Sequence, residues 1–379
     1  MPRARTILLL LATVIGCYGT PRTSFPDEDA GSGMAGGAGT GSGGTGRAGT
    51  GQAGSGAGGI TGTGTAGTGA NGAGGSVPAF VGGPCVVTIL GSANVEVFAR
   101  TASAVFHRNF DGRTWSSWAT LAGLDATLID ARSDLDCGAS LDTIHIVAAG
   151  LNPVGALEHA FGFGTSYNPF GRELAPRLVT QSPSVALLSN SAIYFGWAAS
   201  GQSPGLVYAE TGSGGVDLTP IPSLTNNFVS AADISPQLNA LFFAAFDSDG
   251  KLAIYRHNMS SGGAMWIDST KIESPGFFAF GPSICAESGL SGSFSINVAA
   301  VTGHDLWFSG TDRASGWPQF STWTKISSDA ASSPDCAVLR ENPGLDPIIH
   351  VVMLTSRGTV TDLVGNGTSW ATTDLGSPP

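Results

Sequence analysis

The run Gly201-Gln-Ser203-Pro-Gly205 has the GxSxG spacing that, between a strand and a helix, holds a nucleophilic serine on a sharp turn. Here it stands between two strand-like runs, after Trp197 and before Leu206, and no helical pattern follows, so a hairpin turn is expected. The 6 histidines are dispersed. His145 and His350 take similar places in distant segments, and His107, His159 and His257 fall in the runs that follow such segments. No HExxH motif, CxxC pair or Cys/His cluster has zinc spacing, so no metal ligand and no cofactor is expected. Asp247-Ser-Asp249-Gly250 opens like a calcium loop but lacks the later carboxylates, and a hairpin turn is again expected.

Cleavage of a glycosidic bond needs two carboxylates close in space rather than in sequence. Asp136, Asp233 and Asp335 take matching places ahead of strand-like runs and would crowd one mouth of a channel if those runs surround an axis. Acids mostly stay in water, so solvated carboxylates on a rim are the expectation and no catalytic residue is assigned. Trp317, next to Pro318 in a Gly-containing connection, is the candidate binding residue, because an aromatic ring in a loop can stack on a sugar.

The segments that carry these residues begin after a long leader. Arg3 and Arg5 precede the apolar run Ile7–Ile15, which is too short for a bilayer span of about 20 residues. The run ends Val14-Ile-Gly-Cys17, which resembles the lipobox of bacterial lipoproteins. Residues 1–16 are therefore expected to be a removed signal peptide, and Cys17 to carry lipid. Tyr18, rather than Asp, follows the cysteine and points to the outer membrane or cell surface. Residues 17–78 are expected to be a disordered tether, since 30–77 are almost wholly Gly, Ala, Ser and Thr. Random-coil scaling gives it a span on the order of 40 Å. Gly41-Ser-Gly-Gly-Thr-Gly46 matches GxGxxG by chance, because no strand precedes it and no helix follows. With 17 basic and 28 acidic residues the net charge is −11, which disfavours a nucleic-acid partner.

Residues 79–379 repeat at about fifty residues, the range of propeller blades. The strand-like starts are Val95, Ile144, Ile193, Leu241, Ile296 and Ile348, each followed by a turn and a second strand near Val105, Leu157, Leu206, Leu252, Leu306 and Val360. A closing segment follows in most repeats: Trp115-Ser-Ser-Trp118-Ala-Thr-Leu121, Phe320-Ser-Thr-Trp323-Thr-Lys-Ile326, the same steps at Trp266, Ser269 and Ile272, and a shortened version at Trp370. Evenly spaced short strands with aromatic markers predict an all-β, six-bladed β-propeller. A seventh blade could fit in 152–183, and a pair of β-sandwiches is the runner-up that leaves the period unexplained.

With Cys17 set aside, Cys85, Cys137, Cys285 and Cys336 remain, and four cysteines allow three pairings. Each lies just before the first strand of repeats one, two, five and six. That placement reads as the innermost strand of each blade, and bridging neighbouring blades gives Cys85–Cys137 and Cys285–Cys336. Trp118, Trp266, Trp323 and Trp370 are expected to pack between blades.

The closing segments Trp115–Leu121 and Phe320–Ile326, with the hairpin Gly250-Lys-Leu-Ala-Ile-Tyr255, resemble the repeats of bacterial WxxW propeller lectins of the fucose-lectin-like type. That resemblance implies fucose or a related sugar bound in pockets between blades. Only the Trp115–Leu121 copy is complete, and the closing segments of repeats two and three lack the tryptophans. Gly112-Arg-Thr-Trp115 and Gly367-Thr-Ser-Trp370 resemble the end of the Asp-box turn of sialidase propellers, but Asp111 abuts Gly112 where that family has one residue between. The expected protein is a surface-tethered, non-catalytic, carbohydrate-binding module held to a membrane by lipid on Cys17. A glycoside hydrolase or an envelope protein scaffold are the alternatives.

Overall fold

The computed structural model describes residues 79–89, 93–140, 143–173, 179, 182–187, 193–199, 205–211, 230, 233–237, 240–247, 249–258, 265–288, 294–311, 319–339 and 347–379. Cys17, the tether, Ser203 and Trp317 lie outside them, and of Trp266 only the backbone is described.

These residues form six antiparallel sheets, each built from strands consecutive in sequence. Blade 1 runs from the strand Val81–Thr88 to the strand Ala119–Asp125. Blades 2 to 6 begin at Asp136–Ala139, Ser184–Leu187, Asp233–Gln237, Ser283–Ser288 and Asp335–Leu339. Each of these first strands touches the first strand of the next blade, and Asp335–Leu339 of blade 6 returns to Val81–Thr88 of blade 1. Six sheets thus surround one axis, with their first strands innermost. Among the described residues of the stretch 152–183 there is no seventh blade. The stretch supplies the strands Val154–Phe163, Ser166–Tyr167 and Gly171–Glu173 of blade 2, the last two both pairing with the first.

The second strand of a blade is buried on both faces because a neighbouring sheet covers each. Ala240–Phe246 and Phe294–Thr302 are buried at all but one end residue, which is why the sequence there reads as continuous apolar runs. Outermost strands such as Trp370–Gly376 are mostly exposed and carry Thr and Asp. The Asp247 turn is a hairpin, as its residue types demand: Asp247 Oδ1 accepts from the amides of Asp249 and Lys251, both at 3.0 Å, and Gly250 has φ 75°. Buried Asp247 also pairs with Lys271, so its carboxylate is occupied.

Buried Arg100, in the second strand of blade 1, fixes the passage into blade 2. It donates to the carbonyls of Asp130 at 3.0 Å, Ala131 at 3.2 Å and Ser133 at 2.6 Å. Gly82 lies against this knot with φ 70°, and a Cβ there would sit 2.8 Å from the Ser133 carbonyl. Only glycine fits both constraints.

Two disulfides join the innermost strands of adjacent blades: Cys85–Cys137 across blades 1 and 2, and Cys285–Cys336 across blades 5 and 6. They close loops of 52 and 51 residues, and a chain-entropy argument assigns each a stabilisation of about 4 kcal/mol. Replacing either pair by serines should lower the denaturant midpoint without changing the strand content, as read by circular dichroism alongside a urea titration.

Candidate functional site

Three groups of side chains meet where the sequence places chemistry-bearing residues. The first surrounds the axis. Asp136, Asp233 and Asp335 converge at one end of the innermost strands, as expected, but Asp233 and Asp335 are buried and Asp136 is half-buried, none of them solvated on a rim. The reason is that each carboxylate accepts the amide of the next blade. Asp136 takes Val185 N at 2.6 Å, Asp233 takes Ile284 N at 2.7 Å and Asp335 takes Val86 N at 2.7 Å. These bonds offset the desolvation that would otherwise keep the acids in water. Burial pushes all three carboxyls upward. Asp136 and Asp335 lie well above the ordinary range, where the charge of Asp233 adds to burial, while Asp233 itself is raised to about 6.

Asp134 caps this end, accepting from Ser333 Oγ at 2.7 Å and Ser182 Oγ at 3.2 Å and thereby tying the entries of blades 6 and 3. The space beneath is about 40 Å³. Pockets for small organic ligands start at roughly 300 Å³, so a sugar ring does not fit here. The Asp335 carboxylate also lies beside the sulfurs of Cys85 and Cys137, but those sulfurs are bonded to each other and offer no thiolate to a metal.

The second group is the tryptophans, and they hold blades together. Trp118 Nε1 of blade 1 donates to the Leu375 carbonyl of blade 6 at 2.8 Å, and Trp323 Nε1 of blade 5 donates to the Glu273 carbonyl at the end of blade 4 at 2.7 Å. Trp118 also packs on Phe80, with ring centroids 4.9 Å apart. Trp370 of blade 6 meets Phe308 of blade 5 edge to face at 4.8 Å. The candidate Trp317 falls outside the described residues, so its role as a stacking platform belongs to the functional proposal below.

The third group lies on blade 2 and was not singled out from sequence. His159, Phe161 and Phe163 alternate along Val154–Phe163 and so share one face of the sheet, and His145 stands opposite Phe161 in register. His145 Nδ1 is 2.9 Å from His159 Nε2, and His159 Nδ1 is 2.8 Å from Glu173 Oε1. One proton arrangement satisfies both contacts: His159 donates to the carboxylate through Nδ1 and accepts from His145 through Nε2. Burial, then the neighbouring His159, lowers His145 to about 4 and keeps it neutral. The pair is buried against Phe195 of blade 3, whose ring meets His159 edge to face at 5.1 Å.

Phe161 stacks on His145 at 5.8 Å, yet it is 43% exposed, and Phe163 is 55% exposed. Gly162 between them cannot carry a side chain, since a Cβ would lie 2.2 Å from the Ser166 carbonyl. The result is an open aromatic pair on the same face as a carboxylate that a histidine holds still, with the Glu173 side chain 33% exposed. Apolar sugar faces stack on such rings and sugar hydroxyls donate to such carboxylates. The alternation Phe-Gly-Phe was visible in the sequence, but nothing there said that its outer side would be left uncovered. Elsewhere His107 lies with Glu96 at 3.4 Å and His350 with Asp362 at 3.0 Å, each pair buried within one blade.

Solved structures share this architecture. A mutant of the Aleuria aurantia lectin, in complex with α-methyl-L-fucoside, matches with TM-score 0.57 at 11% identity, covering 79% of this chain and 98% of that one. The fold of that lectin is described as a six-bladed β-propeller. The Arthrobotrys oligospora protein AofleA matches with TM-score 0.59 at 11% identity, covering 79% and 88%. A Hadza microbial sialidase matches with TM-score 0.52 at 11% identity, covering 73% and 64%. Identities this low establish the fold, a six-bladed β-propeller, and not a ligand. No protein-family model and no curated protein sequence matches the chain.

Because folded His145 titrates near 4 and an unfolded histidine near 6.5, the unfolded chain binds the extra proton between those values. Its contribution to stability is therefore present above 6.5 and lost as pH falls through 4. His145→Gln should flatten that part of the acid limb, measured as the difference between the two proteins in urea midpoint against pH.

Proposed function

We propose that this protein is a lectin-like, non-catalytic carbohydrate-binding propeller carried at the cell surface on a lipid anchor. The single observation that carries the binding half is the open face of blade 2, where exposed Phe161 and Phe163 share a sheet face with the His159-anchored carboxylate of Glu173. The fold supports the same reading, because similar propellers are solved with α-methyl-L-fucoside and Fucα1-6GlcNAc bound. Fucose-containing glycans are accordingly the first ligands to try. Trp317 is proposed as a further stacking residue on the grounds given by its loop setting.

The anchoring half rests on the sequence: the short apolar run, Cys17, and a tether of small residues long enough to hold a rigid propeller away from a bilayer. An outer-membrane or cell-surface location follows from the residue after Cys17.

Two measurements test the two halves separately. On a glycan array the full-length protein should bind fucosylated glycans, and Phe163→Ala or Phe161→Ala should weaken binding about tenfold, the loss of one stacking contact near ~1.4 kcal/mol, with an unchanged melting temperature. Metabolic labelling with a fatty acid should mark the protein, and Cys17→Ser should abolish the label and release it from the membrane fraction.

A further inference from the structure

The three innermost strands that begin at Asp233, Ser283 and Asp335 belong to blades 4, 5 and 6, and one hydroxyl joins them. Ser283 Oγ lies 2.9 Å from Asp233 Oδ2 and 3.1 Å from Asp335 Oδ1, and it accepts the Cys336 amide at 3.0 Å. Ser283 is 1% exposed, so no bulk water relieves a mismatch. A hydroxyl has one hydrogen and two lone pairs. The Cys336 amide uses one lone pair and the hydrogen serves one carboxylate. The other carboxylate then meets only the remaining lone pair, and that contact is attractive only if the carboxyl brings a proton of its own.

We propose that the seam of blades 4, 5 and 6 is closed around a retained proton, donated by Asp335 to Ser283 while the Ser283 hydroxyl donates to Asp233, so that ring closure weakens when rising pH removes it. The arrangement leaves the amide bonds intact: Val86 N still reaches Asp335 Oδ2, Ile284 N still reaches Asp233 Oδ2, and the Cys336 amide, which also lies 2.8 Å from Asp335 Oδ1, is taken up by the Ser283 oxygen when that carboxyl oxygen carries the proton. It is independent of what the outer faces bind.

The surroundings favour keeping the proton. Blade 2 presents Asp136 from its innermost strand and Asp134 from the connection before it, both acids. Blade 3 presents Ser182 and Ser184, and blade 1 presents Pro84 beside the Cys85–Cys137 disulfide. Among the described residues no Lys, Arg or His lines this space. The cation whose charge acts on Asp134 is Arg100, and its guanidinium is committed to the carbonyls of Asp130, Ala131 and Ser133. Burial raises Asp233 to about 6, and burial together with that neighbouring charge raises Asp335 well above the ordinary value of 3.8.

A folded-state value above the unfolded one means that the folded chain holds a proton the unfolded chain releases. The stability so gained is complete below 3.8 and drains away as pH rises through about 6 and beyond. His145 and His257, both lowered to about 4 by burial, act with opposite sign, and their effect fades about one unit above 6.5. The range from about 7.5 to about 8.5 therefore reports mainly on the raised carboxyls, Asp335 among them.

Thermal unfolding of the full chain across that range tests the proposal. The melting temperature should fall by a few degrees in the unaltered protein and fall distinctly less in Asp335→Asn, whose amide donates to Ser283 at every pH while Asp136 still titrates. A level or rising curve in the unaltered protein, or the same slope in Asp335→Asn, overturns it. Should the variant not fold, infrared spectroscopy of the unaltered protein decides: a protonated-carboxyl band at neutral pH that fades as pH rises supports the retained proton, and absence of that band overturns it.

Discussion

The structure depends on closing a ring of six sheets that share no strand. Each blade is made of consecutive strands, and blade 6 meets blade 1 only through packed faces and side-chain bonds. A ring closed this way has no main-chain ladder across its last seam. Every interface must therefore be fastened by groups that reach from one sheet to the next. Near the axis a side chain of one innermost strand grips a residue of the following one. Asp136, Asp233 and Asp335 do so by accepting an amide, Ser283 does so through its hydroxyl, and Cys85 does so by a covalent bond to Cys137. A disulfide at one interface thus performs the work that hydrogen bonds to acids perform at others.

Farther from the axis the fastening changes chemistry because the blades spread apart and larger groups fit. There the indoles of Trp118 and Trp323 span the gap and donate to carbonyls of the preceding blade. Aromatic surface supplies the apolar contact and the N–H removes the cost of an unpaired carbonyl. Blade 2 lacks this closing tryptophan and has instead a His145–His159–Glu173 chain against blade 3, continued outward by Phe161 and Phe163. Where blades 1, 5 and 6 carry an indole against a neighbour, blade 2 is left with exposed aromatic faces, and that difference makes blade 2 the candidate binding face.

The acids near the axis show why composition misleads at such a place. Solvated carboxylates are the general rule, and the three aspartates break it because a closed ring supplies each with an amide from a strand it is not bonded to in sequence. A clue did exist. Ser133, Ser230 and Ser332 each stand three residues before Asp136, Asp233 and Asp335, and their hydroxyls accept the amides of Ala149, Phe246 and Leu354. This S-x-x-D pattern recurs at every second repeat and marks the even-numbered blades as a set. A solvated rim residue has no reason to keep a serine at a constant distance.

The sequence by itself determined the strand content, the fifty-residue period and the placement of the innermost strands. These follow from local patterns: continuous apolar runs and turn residues such as Asp247–Gly250. The tertiary structure alone decided which of three cysteine pairings forms, that 152–173 belongs to blade 2, that Asp233 and Asp335 are buried, and that Phe161 and Phe163 face outward. These outcomes depend on which sheet covers which face, and burial of a side chain is set by residues that lie far away in the chain. Periodicity reports how a strand alternates, whereas the presence or absence of a neighbour on its outer side is fixed only when the ring closes.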